Sequence, residues 1–423
     1  MSIFTSYFKL TAEYRWMLIA AFVFNLGFYM LIPFLAGYLK QDLLLSATLV
    51  GVVLGVRSFC QQGLFLVGGL LADLFGEKKL IVIGCLLRSV GFCLFLFSDI
   101  TALLFLAAFL TGFAGALFTP AAQAYFSKQN VLSRAQMFSL VGVARNGGEL
   151  LGPVCGVLLL SISFDILCII SALPFALFAL VFTVLIPEHQ QKEKSGSDAK
   201  SSATAQGGGV KAMVAGVLSN RAFLKFSAVM AGYFMLINQI SFAIPMHIVE
   251  QQGTAKEVAW VLTLCALISI FLQFPVTKLC ERWLSPTKWI SIGIALMGLS
   301  FVTLIPHWPY EQGVLYYLPL SLLAVVFTVG TMVSFPFIMS QISELAKDKS
   351  VATHYGFFYL FAGVGLIAGS SVVGVAFDLS NISEHLAWYC LILIGLITAL
   401  LNWALSTSST QVDESQSTSP STH

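Results

Sequence analysis

The sequence predicts an all-α membrane protein of twelve transmembrane helices arranged as two six-helix bundles. Three observations lead there. Of the 423 residues, 58% are hydrophobic and only 10% are charged, with a mean hydropathy of +0.88; a soluble domain carries about 25% charged residues. The apolar runs are about 18 to 26 residues long, the length a helix needs to cross about 30 Å of hydrocarbon, whereas barrel strands would alternate over segments of about ten residues. The runs also fall six and six about one polar segment.

Taken in order, the spans lie near 14–38, 46–71, 80–97, 101–126, 135–160, 166–186, 223–250, 258–280, 289–305, 314–340, 355–377 and 386–406. The first apolar run is too long for a signal-peptide core, and no small-residue cleavage site precedes the second, so it is expected to be a retained helix. Between spans six and seven lies PEHQQKEKSGSDAKSSATAQGGGVKAM, whose Ser, Gly and Lys content predicts a flexible linker. The last residues, STSSTQVDESQSTSPSTH, have the composition of a disordered tail. The expected organisation is therefore an N-terminal bundle over 1–187, a linker over 188–222, a C-terminal bundle over 223–406 and a tail over 407–423.

Charge orients the chain. With the N-terminus inside, seventeen of the 22 Lys and Arg residues fall in cytoplasmic segments, Lys40 and Lys256 fall outside, and Arg57, Arg88 and Arg145 lie within spans. The positive-inside rule thus predicts cytoplasmic termini and a cytoplasmic linker. The eight cysteines sit in or at the ends of apolar segments without C-x-x-C spacing, so they are small core residues rather than disulfides or metal ligands. No basic block resembles a nucleic-acid site. No metal-ligand cluster, catalytic-triad spacing or phosphate-cradling loop points to an enzyme or an ATP-driven pump.

The halves repeat weakly. Span four ends LFTPAAQAYFSK and span ten VSFPFIMSQISELAK; Pro120 stands 32 residues before Gly152, and Pro336 stands 33 before Gly369. Two halves related in parallel fit a duplicated transporter with its site between the halves at mid-membrane.

The segment GGLLADLFGEKKLI resembles the signature loop of the major facilitator superfamily, G-x-L-a-D-r-x-G-r-k, through Gly69, Leu71, Ala72, Asp73, Gly76 and Lys78; Leu74 and Glu77 stand where that family usually has arginine. GELLGPVCG in span five resembles the superfamily's antiporter motif through Gly148, Gly152, Pro153 and Gly156. The stretch from Gly55 to Phe92 and the span-eleven run YGFFYLFAGVGLIAGSSVVGVAFDL look like the MdtH-type multidrug exporters of the drug:proton antiporter branch. The resemblance implies the major facilitator fold and alternating access. It also implies that Asp73 helps close the cytoplasmic face near the start of span eleven, around Gly356, where a helix N-terminus favours a carboxylate.

Of the 20 acidic residues, only Glu149 lies deep in a span. A charge there costs at least about 2.5 kcal/mol on the insertion scale, so it marks a cavity, a partner or a function. At about 100° per residue, Arg145, Glu149, Gly152 and Gly156 share one face, the glycine face that lets another helix approach. Pro153 is expected to bend the helix. Two readings of Glu149 stand open: an i,i+4 pair with Arg145, or the proton carrier, since burial favours a neutral carboxyl and a nearby arginine favours the charged one. Arg57, with Gln61 one turn on, leaves one uncompensated positive charge, because arginine stays protonated. A substrate anion, backbone carbonyls or water are candidates to balance it. Arg88 is expected to be shallower and to snorkel to the cytoplasmic side. Asn25 and Tyr29 on span one, Gln123 on span four and Tyr233, Asn238 and Gln239 on span seven are further candidates to line a polar and aromatic cavity.

The expected function is proton-coupled export of amphipathic organic compounds or drugs by a monomer in the bacterial inner membrane, without a cofactor, with small-molecule substrate, protons and lipid as its partners. One alternative is a transporter of a particular anionic metabolite or siderophore that uses Arg57 and Arg145. The other is a non-transporting scaffold or sensor.

Overall fold

The computed structural model describes residues 3–186, 206–250, 255–305, 317–347, 349–379 and 385–417. These are helical throughout, and no strand occurs among them. The helices are α1 (Ile3–Lys9), α2 (Ala12–Gln41), α3 (Ala47–Gly63), α4 (Phe65–Phe75), α5 (Glu77–Leu94), α6 (Thr101–Ser127), α7 (Arg134–Leu160) and α8 (Phe164–Leu185). There follow α9 (Gln206–Ser219), α10 (Arg221–Ile237), α11 (Ala243–Glu250), α12 (Ala255–Cys280), α13 (Pro286–Ser300), α14 (Leu318–Ala346), α15 (Val351–Asp378) and α16 (Leu386–Ser417).

Ten helical segments among the described residues are long and apolar enough to cross a membrane, with α10 and α11 together forming one of them; α3 and α4 make an eleventh if the bent pair is one span. α7 is polar because Arg145, Asn146 and Glu149 interrupt it, but its 27 residues reach about 40 Å at 1.5 Å per residue. With α7 the helices are consistent with twelve crossings.

The elements start where local chemistry predicts. Ser46, Ser133 and Ser163 each accept a hydrogen bond from the backbone N–H three residues on, at 3.2, 3.1 and 3.1 Å, which satisfies an otherwise orphaned donor. Four differences from the sequence expectations have local causes. Span two is not one straight helix: it bends by 45° between Gly63 and Phe65, where Leu64 leaves helical geometry beside a glycine. The same break carries Gly69 and Asp73 onto a second helix, so Asp73 lies in the last turn of α4 rather than in a loop, and only Gly76, at φ +92°, makes the turn into α5. The linker is helical over Gln206–Ser219; its residues 188–205 lie outside the described residues. The tail is helical as far as Ser417, with no glycine or proline to stop it before Pro420; 418–423 lie outside the described residues.

The chain divides into two compact units, Met1–Phe223 with Ile342–Leu360, and Leu224–Gln341 with Phe361–His423. In the first, α7 lies against α2 along glycines. A Cβ on Gly152 would come within 2.6 Å of Tyr29 Cβ, and one on Gly148 within 2.6 Å of Leu26 N. Packing this close needs hydrogen at those positions. An aromatic core seals α2 to α8, with Phe24 stacked on Phe175 at 4.4 Å and edge-on to Phe178 at 5.4 Å. In the second unit α15 uses the same device on α10: a Cβ on Gly369 would come within 2.8 Å of Met235 Cα. There Trp388 is buried against Phe301 at 6.0 Å and Phe377 at 5.7 Å.

Candidate functional site

The polar centre of the first unit is built from α2, α3, α5 and α7. Arg145 and Glu149 are both solvent-accessible, yet they lie on the face of α7 that carries the buried Gly148, Gly152 and Gly156. The exposed apolar Leu151, Val154 and Leu158 occupy the roughly opposite face at about 100° per residue. The carboxylate is therefore reachable without lying on the lipid-facing stripe. The Tyr29 phenol lies within electrostatic reach of Glu149, Arg145 and Arg57.

Arg57 projects from α3 over the Phe28 ring, its guanidinium carbon 5.3 Å from the centroid. Its Nη1 donates to Gln61 Oε1 at 3.1 Å and its Nη2 to Ser58 Oγ at 3.2 Å. Its Nε is buried without a hydrogen-bond partner. Arg88 does not snorkel to the membrane surface. It lies over the same Phe28 ring at 5.5 Å and over Phe175 at 5.6 Å, and donates to Thr111 O at 3.3 Å. Eleven residues into α5 is about 16 Å from its start, too deep for a side chain held by two inward rings to turn back. Gly115 makes the room: a Cβ there would collide with Arg88 Nη2 and come within 3.2 Å of Gln61 Cγ. Sequence reasoning missed Arg88 as a site residue. The available signal was its span-three position, as far from the Lys78–Lys79 end as a mid-membrane group should be.

Thus Tyr29, Arg57, Gln61, Arg145 and Glu149 are gathered in one place, with Phe28 and Arg88 added. The other candidates are engaged elsewhere. Asn25 donates to Ala21 O at 2.7 Å within its own helix. Gln123 hydrogen-bonds the Tyr359 hydroxyl, whose ring stacks on Phe65 at 4.6 Å. Tyr233 and Gln239 are buried in the second unit, where Gln239 donates to Met235 O at 2.6 Å and Asn238 donates to Ser370 Oγ at 2.9 Å.

Asp73 forms a separate polar site. Its carboxylate accepts from Ala352 N at 3.2 Å, Thr353 N at 2.7 Å and Thr353 Oγ1 at 2.6 Å, which caps the first turn of α15. Charged acceptors at a helix N-terminus gain from its dipole and orphan donors. Two glycines allow this approach: a Cβ on Gly69 would come within 3.0 Å of Thr353 Cα, and one on Gly356 within 2.6 Å of Phe65 O. Glu77, in the position where arginine is usual, pairs with Lys128 at 2.5 Å, and Lys78 beside it is half-buried. Among the described residues no group of acidic, His and Cys side chains could hold a metal ion.

The apolar helical body is that of an integral membrane protein, and the family match makes it a transporter of small molecules, not an enzyme. The chain belongs to the Major Facilitator Superfamily, whose family model matches residues 17–370 and 222–420. It is 34% identical over 390 residues to an uncharacterised MFS-type transporter of Mycobacterium tuberculosis, covering 90% of each chain. It is 28% identical over 385 residues to the multidrug resistance protein MdtH of Salmonella paratyphi B, covering 90% of this chain and 91% of that one. The crystal structure of the human organic anion transporter MFSD10 shares the fold at TM-score 0.69 and 16% identity, over 93% of this chain and 100% of that one. A POT family transporter does so at TM-score 0.65 and 15% identity, over 94% and 96%. Membership of a transporter family overturns the scaffold-or-sensor alternative.

Proposed function

We propose that this protein is a proton-coupled secondary transporter that exports amphipathic organic compounds across the bacterial inner membrane by alternating access. It works as a monomer with cytoplasmic termini and needs no cofactor beyond the proton gradient. The observation that carries this reading is Glu149, accessible on the glycine face of α7 and within electrostatic reach of Tyr29. A proton entering from outside neutralises Glu149 and drives the change of state in which the substrate is released; opening to the cytoplasm lets the proton leave and the next substrate bind. One elementary charge crossing 100 mV supplies about 2.3 kcal/mol. The Asp73 cap on α15 is the contact made in one state and broken in the other. Similarity to a multidrug resistance protein supports export and the substrate class.

The test is proton release from everted vesicles on addition of amphipathic substrates. Wild type should release protons in proportion to substrate, and Glu149→Gln should bind substrate without releasing any. Proton coupling that persists in Glu149→Gln removes this residue from the role. A second reading, transport of a particular anion, is favoured by the buried, unpartnered Nε of Arg57.

A further inference from the structure

Two arginines from neighbouring helices, α3 and α5, converge on one phenylalanine. Arg57 and Arg88 lie 5.3 and 5.5 Å from the Phe28 centroid, and Arg57 is close enough to act electrostatically on Arg88. Each guanidinium has five N–H donors. Hydrogen bonds take up little of that capacity. Arg57 reaches a side-chain amide and a hydroxyl, Arg88 one backbone carbonyl, and Arg57 Nε is buried with no acceptor. Every acceptor is neutral, and neither arginine has a carboxylate partner among the described residues.

Such an arrangement is costly as it stands. A cation over a ring gains about 0.5–2 kcal/mol, whereas each charge at mid-membrane costs at least about 2.5 kcal/mol. Two like charges on one ring also repel. An anion placed between them removes the repulsion and takes the free N–H groups in the fork geometry that suits a carboxylate. Gly115 lets Arg88 and Gln61 pack directly against α6, since a Cβ there would collide with Arg88 Nη2 and come within 3.2 Å of Gln61 Cγ. The surroundings are aromatic: Phe28, Phe175 and Tyr29. We propose that Arg57 and Arg88, seated on Phe28, form an anion subsite that takes the carboxylate of an amphipathic aromatic substrate. This deepens the transporter reading above and rests on it only for the premise that the polar centre meets the transported molecule.

The experiment is titration calorimetry on the full-length protein in lipid nanodiscs with three probes of one shape: 2-naphthoate, neutral 2-naphthamide and cationic 2-naphthylmethylammonium. Wild type should bind naphthoate about tenfold or more tightly than the amide, and the ammonium most weakly; Arg57→Gln and Arg88→Gln should each lose about tenfold for naphthoate and leave the amide unchanged. Arg57→Lys and Arg88→Lys should keep the preference for the anion. Equal affinity of wild type for the three probes, no binding of any, or unchanged naphthoate affinity in both Gln variants overturns the proposal. If the Gln variants do not fold, the charge preference of wild type and the two Lys variants decides. A preference for naphthoate together with proton release that survives Glu149→Gln would sink the proton reading alone, so the two failures are separable.

Discussion

Asp73 shows how much one side chain holds. Its two oxygens collect three hydrogen bonds at the first turn of α15, two of them from backbone N–H groups that have no partner within the helix. Asp73→Ala should cost about 1–3 kcal/mol, the penalty for orphaning buried donors, read as a lower unfolding midpoint in detergent. Asp73→Asn keeps an acceptor and should lose less. The Glu77–Lys128 pair is a second residue-scale test. Lys128 is the more exposed partner, with 41% of its side chain accessible against 11% for Glu77. Glu77→Gln should therefore be nearly as stable as wild type, because an exposed partner limits a pair to about 1 kcal/mol or less. Midpoints of Glu77→Gln, Lys128→Gln and the double variant check this through their coupling.

Among elements, α7 is the one that combines packing and chemistry. Its glycines bring it against α2, and that approach sets Glu149 beside Tyr29. Gly152→Val should force the helices apart, since even a Cβ would come within 2.6 Å of Tyr29 Cβ; overpacking of this kind costs about 1–3 kcal/mol or more. The expected result is a lower unfolding midpoint together with lost proton coupling. Val154→Leu, on the exposed apolar face, should change neither. Midpoints and vesicle proton release measured on both variants provide the comparison. In the second half, α15 places Gly369 on α10 as α7 places Gly152 on α2, so the 32- and 33-residue spacings in the sequence correspond to matching helix contacts. Pro153 lies inside α7, which runs on to Leu160.

For the whole molecule, the strong bias of Lys and Arg predicts which side each loop faces. Green fluorescent protein fused after Ser417 should fluoresce, and alkaline phosphatase fused after Lys40 should be active, because the former needs the cytoplasm and the latter an oxidising exterior. The opposite pattern would invert the topology and the direction of the proposed proton flow. The helices were legible because hydropathy along a chain maps directly onto depth in a membrane. So was the facilitator motif. Span boundaries were less so. The break at Leu64 follows from local backbone geometry beside Gly63, and the extension of α16 from the absence of a stop signal; neither leaves a hydropathy trace.

The sequence alone determined the helical membrane class and the family motifs, since each is a property of position along one dimension. Only the tertiary structure decided that Arg88 turns inward onto Phe28, that Glu149 meets Tyr29, that Glu77 takes Lys128, and that Asn25 and Gln123 are occupied elsewhere. Those pairings depend on helix rotation and side-chain rotamer, where many arrangements share the same spacing and only close packing selects one.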